Sequence, residues 1–143
     1  MITKRSFGFS LVELLVVVAI IGILAAAAVI SYNGYVFAAK KKSARNVMMQ
    51  ISLGQIEYYS DNSAYYGPTG STCSPTDTTS TDIETNLLGG SDSIALEMGY
   101  LMCVVTTPTD YKIQAQEITP DSDKCEMSMP KSTKVTYNTH CDR

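Results

Sequence analysis

The chain has 143 residues, 45% of them hydrophobic, and a formal net charge of −3 at pH 7. This length allows one domain, and the acidic balance argues against a generally basic nucleic-acid-binding protein. Aliphatic residues are concentrated in the first third, so only about 80–110 residues remain for a folded core, which is marginal without added constraints.

The N-terminus combines a short basic segment, residues 1–8, with an apolar run over residues 9–30. As a helix, this run would span about 33 Å, close to the thickness of a bilayer core. From Leu14 to Ile30 there is no charged, hydroxyl or amide side chain, and Glu13 stands at the head of this stretch. Because an unpaired carboxylate is costly in lipid, we expect Glu13 to have a function.

Residues 31–60 continue the helical pattern in amphipathic form. Residues at helical spacing form one face: Ala44, Val47, Met48, Ile51, Gln55 and Tyr58. This periodicity predicts one long helix from Phe9 to about Tyr59. Gly34 and Gly54 weaken it by about 1 kcal/mol each relative to alanine.

The segment from Gly67 to Ser93 is dominated by Ser, Thr, Asp, Gly and Pro. Such a composition predicts a loop. Within it, Thr76–Thr81 is interpreted as a bare flexible loop, with O-glycan attachment as the alternative.

Four short segments near the C-terminus have the alternation or apolar character of strands. They are Tyr100–Thr106, Tyr111–Gln116, Cys125–Met129 and a last strand that begins near Val135. Turn-forming residues separate them, at Thr107–Asp110 and Pro130–Thr133. The predicted fold class is α+β: a long N-terminal α-helix, membrane-spanning in its first half, packed against a four-stranded antiparallel sheet.

All four cysteines lie in the polar part of the chain: Cys73, Cys103, Cys125 and Cys141. Well-separated cysteines behind an export-like N-terminus predict two disulfides formed in an oxidising compartment. A zinc site is the rival interpretation, but the closely spaced ligand pairs of such sites are missing. Four cysteines allow three connectivities, and spacing alone does not choose among them.

Positive charge is concentrated in Lys40, Lys41, Lys42 and Arg45, whereas the region from Asn46 onward is acidic. That region has five basic residues, which are Lys112, Lys124, Lys131, Lys134 and Arg143, against thirteen acidic ones. An acidic head disfavours nucleic acid as a partner. The Lys40–Arg45 cluster is interpreted as a solvated helix face, with lipid head groups, acidic neighbours or DNA as alternative contacts.

Other candidate sites are weak. His140 is the only histidine, and beside Cys141 at the C-terminus it is interpreted as an exposed structural bystander. With this single histidine and with paired cysteines, neither a Ser-His-Asp nor a Cys-His arrangement is expected, so we expect neither an enzyme nor a cofactor. Asp121-Ser122-Asp123 is interpreted as a solvated turn in preference to a calcium site, so no metal is expected.

The stretch GFSLVELLVVVAIIGILAAAA resembles the N-terminus of type IV pilins and pseudopilins. The resemblance implies cleavage after Gly8 by a prepilin peptidase, N-methylation of the new first residue, Phe9, and a role of Glu13 in assembly. One departure is Ile30, where the family often has a helix-breaking proline. Gly22 and Gly34 are then the remaining weak points of the helix.

The resemblance also implies a C-terminal sheet closed by a disulfide loop, and we predict the pairs Cys125–Cys141 and Cys73–Cys103. The implied organisation is a leader (1–8), a transmembrane assembly helix (9–30), an amphipathic continuation (31–60) and a disulfide-bonded head (61–143).

The resemblance predicts a structural subunit, major or minor, of a bacterial type IV pilus that serves adhesion, motility or DNA uptake. Its partners would be other pilin subunits, the prepilin peptidase, the inner-membrane assembly machinery and the membrane before assembly. The precursor would be a single-pass inner-membrane protein with its head outside the cytoplasm, although the lysine and arginine count around the span favours the reverse orientation. The alternatives are a type II secretion pseudopilin, a DNA-binding minor pilin of a competence system, an ordinary signal peptide and a plain membrane anchor.

Overall fold

The computed structural model describes residues 8–94 and 96–142. The chain forms two compact units, one ending at Val36 and the other beginning at Phe37. Helix α1 spans Leu11–Asn62, 52 residues, and contributes to both. The predicted long helix is therefore confirmed, and it continues through Gly22 and Gly34 without a break.

In the first unit, the described side chains of α1 from Leu11 to Val29 are all exposed. By length and composition, α1 contains a stretch that could cross a membrane.

The second unit contains a four-stranded antiparallel sheet in the order β1-β2-β3-β4. The strands are β1 (Tyr100–Thr106), β2 (Tyr111–Glu117), β3 (Glu126–Pro130) and β4 (Thr136–Tyr137). The register places Ile113 of β2 between Val104 of β1 and Met129 of β3. The predicted α+β class with a four-stranded antiparallel sheet is confirmed.

The core of the second unit lies between one face of α1 and one face of the sheet. The helix contributes Ala44, Met48 and Ile51, which are fully buried. The sheet contributes the inward-facing residues of β1, β2 and β3, among them Met102, Ile113, Met127 and Met129. This arrangement follows from the two periodicities, since α1 presents residues three or four apart and the strands present alternate residues.

Two buried polar side chains of α1 are satisfied within the unit. Gln55, fully buried, donates from Nε2 to the Tyr66 carbonyl (2.7 Å) and accepts from the Tyr66 N–H (2.9 Å). The Ser52 and Tyr111 hydroxyls form a hydrogen bond of 2.7 Å. Both contacts join α1 to the chain that follows it, so the helix and the sheet side are linked by polar as well as apolar contacts.

The prediction of a loop over Gly67–Ser93 is wrong in its centre, because helix α2 spans Asp77–Leu87. Thr76 is the N-cap, and its side chain and that of Thr79 form a reciprocal capping box. Serine and threonine favour caps as well as loops, since their hydroxyls satisfy the free N–H groups of a helix end. The interpretation of Thr76–Thr81 as a bare flexible loop is corrected accordingly.

Helix α2 also covers the outer edge of β1. The Thr79 hydroxyl donates to the Met102 carbonyl (2.7 Å), and the Met102 N–H donates to Ser80 Oγ (3.0 Å). Close to the same edge, Gly70 N–H donates to the Thr106 carbonyl (3.1 Å). These contacts use strand groups that would otherwise be open to pairing with another chain.

Two disulfides lie within the second unit, as expected from the cysteine pattern. Cys73 pairs with Cys103, with a Cα–Cα distance of 6.2 Å, and Cys125 pairs with Cys141 at 4.6 Å. The first disulfide fixes the loop before α2 to β1, and the second fixes the C-terminal turn to the start of β3.

Candidate functional site

The N-terminus of α1 holds the residues that the sequence motif singles out. Gly8 and Phe9 precede the helix and are exposed, Phe9 by 76%. The Ser10 N–H donates to Glu13 Oε2 at 2.9 Å. This is the backward half of a capping box, and a carboxylate in the first turn also interacts favourably with the helix dipole.

The surroundings of Glu13 are apolar and uncovered. Among the large residues that follow it, Leu14, Leu15 and Val16 are 60%, 63% and 50% exposed. A helix that is apolar on all sides is stable only in lipid or against other helices. The structure therefore places the Glu13 carboxylate, hydrogen-bonded to the backbone of its own helix end, at the edge of a surface that requires lipid or other helices around it.

A second site, which the sequence analysis missed, lies at the end of the sheet marked by the Thr107–Asp110 turn. We call it the Tyr–Lys cluster: Tyr59, Tyr65, Tyr111, Lys112, Lys131 and Lys134. The Tyr59 and Tyr65 rings are stacked, with centroids 4.5 Å apart, and the Tyr65 and Tyr111 centroids are 5.0 Å apart. Lys131 Nζ lies 5.1 Å from the centroid of the Tyr65 ring.

The lysines of this cluster come from β2 and from the turn after β3. Lys112 is paired with Pro130, which precedes Lys131 directly, and Lys134 is exposed in the following turn. Lys131 also donates to the Thr109 carbonyl (3.4 Å). A side-chain hydrogen bond with Tyr65 raises the pKa of Lys131, so this side chain is positively charged at neutral pH.

A hollow of about 250 Å³ adjoins the cluster. It is lined by Gly70, Ser71, Val105, Thr107, Asp110, Tyr111, Lys112 and Pro130. Lys112 Nζ donates to the Ser71 carbonyl, which fixes the lysine at the rim. No short sequence pattern predicts this site, because its members come from the end of α1, from β2 and from the β3–β4 turn.

The basic residues of the Lys40–Arg45 cluster do not share one environment. Lys41 donates to the Cys141 carbonyl (2.6 Å), and its Nζ lies 5.7 Å from the Phe37 ring and 5.6 Å from the Tyr137 ring. Lys42 and Arg45 are exposed. The interpretation of one solvated face therefore holds for part of the cluster, because Lys41 fixes the C-terminal turn to α1.

The remaining candidates lie apart from both sites. His140 is exposed in a short 3₁₀ turn, Thr139–Cys141, and Asp121–Asp123 are exposed ahead of β3. Within residues 8–94 and 96–142, no three His, Cys, Asp or Glu side chains are grouped so that they could hold a metal ion.

The chain is similar to known pilus proteins. Residues 3–29 match the family described as prokaryotic N-terminal methylation motif, and residues 31–128 match the family described as type IV minor pilin ComP, DNA uptake sequence receptor. Over 65 residues, the chain is 40% identical to the fimbrial protein EcpC of Eikenella corrodens. That match covers 46% of this chain and 42% of the relative, so it spans less than half of the relative's length. No solved structure gives a significant match.

These matches agree with the two parts of the structure. The methylation motif covers Gly8, Phe9 and Glu13 at the start of α1. The second family covers most of the chain, from within α1 to β3. The resemblance to pilins is thereby confirmed. The chain belongs to the type IV pilins, in the family of the minor pilin ComP, and is a pilus subunit.

Proposed function

We propose that this pilin is a minor subunit that presents a DNA-binding surface on the pilus, and that the Tyr–Lys cluster is this surface. The observation that carries the proposal is Lys131 over the Tyr65 ring. Lys112 is paired with Pro130 directly before Lys131, and Lys134 is exposed three residues after it, in a region of the chain that is otherwise acidic. The family description, which names a DNA uptake sequence receptor, supports the same function.

The chemistry of the cluster suits DNA. Lysine ammonium groups neutralise phosphates, which supplies most of the affinity of sequence-independent binding. Tyrosines add hydroxyl donors to phosphate and sugar and apolar ring faces for the deoxyribose or an exposed base. Tyr59, 42% exposed, supplies an accessible ring, whereas buried Tyr111 supports the Tyr65 ring.

The proposal departs from the expectation that an acidic head disfavours nucleic acid. That expectation averages charge over the whole region, but phosphate contacts depend on local charge. From Asn46 onward thirteen acidic residues face five basic ones, and three of those five belong to the cluster. The acidic remainder would repel DNA from other faces and so restrict it to this end of the sheet.

Binding through three lysines has a measurable signature. The slope of log K against log salt is about −0.9 for each neutralised phosphate, so one head should give at most about −2.7. We expect weak, strongly salt-dependent binding, with a Kd on the order of 10⁻⁴–10⁻⁶ M for a single head.

The test measures fluorescence anisotropy of a labelled DNA duplex with the full-length protein in detergent, between about 50 and about 200 mM salt. The variant Lys112→Gln/Lys131→Gln/Lys134→Gln should bind at least about tenfold more weakly at low salt and lose most of the salt slope. The control Lys42→Gln/Arg45→Gln/Lys124→Gln removes the same charge elsewhere and should bind within about twofold of the wild type. Equal losses in both variants would show that net charge, and not the cluster, determines binding.

The same proposal assigns no catalytic role to the chain. The prepilin peptidase would cut after Gly8 and methylate Phe9, and the head would lie outside the cytoplasm in the precursor. The two disulfides support that orientation, since such bonds persist in oxidising compartments. Roles in adhesion or motility would follow from the pilus as a whole.

A further inference from the structure

The face of the sheet that is turned away from α1 carries a polar groove, which we call the outer groove. It consists of two adjoining hollows of about 280 and about 220 Å³, which share Gln114 and Glu126. The floor is formed by Gln114 and Gln116 of β2 and by Glu126 and Ser128 of β3, which alternate with the buried core residues of the same strands. The loop over Thr72–Pro75 forms one wall, and β4 forms the other.

The strand register sets the floor side chains next to each other. Gln114 is paired with Ser128, and Gln116 is paired with Glu126. Paired residues on one face of a sheet are close enough to interact, and Gln116 Nε2 donates to Glu126 Oε1 at 2.9 Å. On the side of the loop, the Cys73 N–H donates to Gln114 Oε1 at 2.9 Å. Both glutamine side chains are therefore held in place without a ligand.

These hydrogen bonds leave a defined set of polar atoms on the floor of the groove. Within the described residues, no hydrogen bond uses Gln114 Nε2, Gln116 Oε1 or Glu126 Oε2. The Ser128 hydroxyl is likewise unused there, although the carbonyl of the same residue accepts a bond from β4. The amide nitrogen donates, the amide and carboxylate oxygens accept, and the hydroxyl does both. Such a mixture complements a sugar, whose hydroxyls each donate and accept.

The charge of the groove restricts what it can bind. Among the described residues that line the two hollows, Glu126 alone is charged. Its carboxylate would repel phosphate, sulfate or another carboxylate, so the groove disfavours anionic ligands such as DNA. A carboxylate can also accept two hydrogen bonds from adjacent donors, as it does from a guanidinium. Neighbouring hydroxyls on a sugar ring offer a comparable pair of donors without a charge.

Both walls of the groove are fixed to the sheet. The Thr72–Pro75 wall is joined to β1 by the Cys73–Cys103 disulfide. The β4 wall is joined to β3, since the Thr136 hydroxyl donates to the Ser128 carbonyl at 3.2 Å. A site whose parts are already in place loses less affinity to the ordering of side chains and loops.

We propose that the outer groove binds a neutral saccharide. Sugar hydroxyls would donate to the oxygens of Gln116 and Glu126, and Gln114 Nε2 would donate to a sugar oxygen. Pro75, in the wall, supplies an apolar surface for the C–H groups of a ring. Pockets for small molecules have volumes from about 300 Å³ upward, so these hollows suit a short saccharide. The inference goes beyond DNA binding, because the outer groove and the Tyr–Lys cluster share no residue.

The test is saturation-transfer difference NMR of three neutral disaccharides with the full-length protein: lactose, cellobiose and N,N′-diacetylchitobiose. The detergent is an amine oxide, because a maltoside detergent would itself present sugar rings to the groove. The site variant is Gln116→Ala/Glu126→Ala, which removes both partners of one hydrogen bond and leaves neither unpaired. The matched control is Gln50→Ala/Glu57→Ala, which removes the same two residue types from exposed positions of α1.

We expect at least one of the disaccharides to bind saturably to the wild type. The site variant should bind it at least about tenfold more weakly, and the control should bind it within about twofold of the wild type. Glu126→Gln, which keeps the shape and removes the charge, should be intermediate. Oxidation of one ring of that disaccharide to a uronic acid should weaken binding to the wild type, because the added carboxylate meets Glu126.

Four results would overturn the proposal. They are the absence of saturable binding for all three disaccharides, an equal loss in the site variant and the control, stronger binding of the uronic acid, and equally strong binding of the dipeptide glycylserine. A further variant separates this site from the DNA surface. Lys112→Gln/Lys131→Gln/Lys134→Gln should bind the disaccharide as the wild type does, whether or not the wild type binds DNA. Loss of saccharide binding in that variant would place the site at the Tyr–Lys cluster and contradict the assignment.

Discussion

At the scale of single residues, the contacts of Glu13 explain how its carboxylate is tolerated at the start of an apolar helix. Its Oε2 accepts a hydrogen bond from the Ser10 N–H, and the positive end of the helix dipole favours the same charge. When apolar helices pack together in a pilus, water is excluded. The hydrogen bond from Ser10 then satisfies only one of the two carboxylate oxygens. A cation from a neighbouring subunit would then stabilise it, and the α-amine of a processed Phe9 has this charge.

We predict that Glu13→Ala leaves the protein exported, cleaved and folded but lowers its incorporation into pili by about tenfold or more. Without the carboxylate, the ammonium of the neighbouring subunit would be buried without a partner, which costs several kcal/mol. Each factor of ten in incorporation corresponds to roughly 1.4 kcal/mol. Glu13→Asp should be intermediate, and Glu13→Lys should fail by repulsion. Quantitative immunoblots of sheared pili against whole-cell protein give the incorporated fraction. Incorporation of Glu13→Ala at the wild-type level would show that this charge does not determine assembly.

Single residues also show why part of the fold was not predictable. From the sequence, Gly54 is only a weak point of α1. In the structure, a Cβ at this position would lie 2.4 Å from the Leu87 carbonyl oxygen, so the glycine allows α2 to approach α1 closely. The partner is 33 positions away in the chain, and no local pattern in the sequence reveals the contact.

At the scale of elements, the long helix and the strands were predictable and α2 was not. The helix and strands carry strong periodicities of apolar residues, which determine both their type and their buried face. In α2 only Ser80, Ile83 and Leu87 are buried, so its apolar signal is weak, and its threonines resemble loop residues. Their hydroxyls in fact bond to the helix N-terminus and to β1.

Thr79 tests this account of α2. Its hydroxyl accepts from the Thr76 N–H (2.9 Å) and donates to the Met102 carbonyl (2.7 Å). Thr79→Val keeps the shape but loses both bonds, so we expect a loss of about 1–2 kcal/mol in the free energy of unfolding.

Denaturant unfolding of the full-length protein in detergent, followed by tyrosine fluorescence, measures this change. The matched control is Thr81→Val, since the exposed Thr81 hydroxyl bonds, among the described residues, only within α2, to the Asp77 carbonyl. That variant should change stability by less than about 0.5 kcal/mol. Equal effects of the two substitutions would show that the contact with β1 contributes nothing.

At the scale of the whole molecule, composition indicated a small acidic head but not how its charges are arranged. The strand register pairs Lys112 with Pro130, directly before Lys131. The position of α2 beside the segment before β1 places Asp77, Asp92 and Glu97 around one hollow. Both arrangements depend on strand register and on a helix whose sequence resembles a loop. The N-terminal motif, in contrast, is local, so the sequence alone predicts the roles of Gly8, Phe9 and Glu13.

The whole molecule also depends on its two disulfides, and their contributions can be ranked. The bonded residues are 30 positions apart in Cys73–Cys103 and 16 apart in Cys125–Cys141. Loop-closure entropy alone gives about 3.7 and about 3.1 kcal/mol, so it ranks the first bond higher. Packing reverses this order, because both Cys125 and Cys141 are fully buried in the core cluster, whereas in the other pair Cys103 is buried outside that cluster and Cys73 is only half-buried. The Cys141 carbonyl is also the acceptor for Lys41.

We therefore predict that Cys125→Ala/Cys141→Ala destabilises the protein more than Cys73→Ala/Cys103→Ala does, by about 1 kcal/mol or more, since it adds a cavity to the lost constraint. Small domains have only about 5–15 kcal/mol of stability. The Cys125→Ala/Cys141→Ala protein should therefore be recovered from membranes in clearly lower amounts than the Cys73→Ala/Cys103→Ala protein. Denaturant unfolding of both variants under non-reducing conditions gives the order, and peptide mapping verifies that the remaining bond is intact. If the Cys73→Ala/Cys103→Ala protein is the less stable, chain entropy outweighs packing in this head.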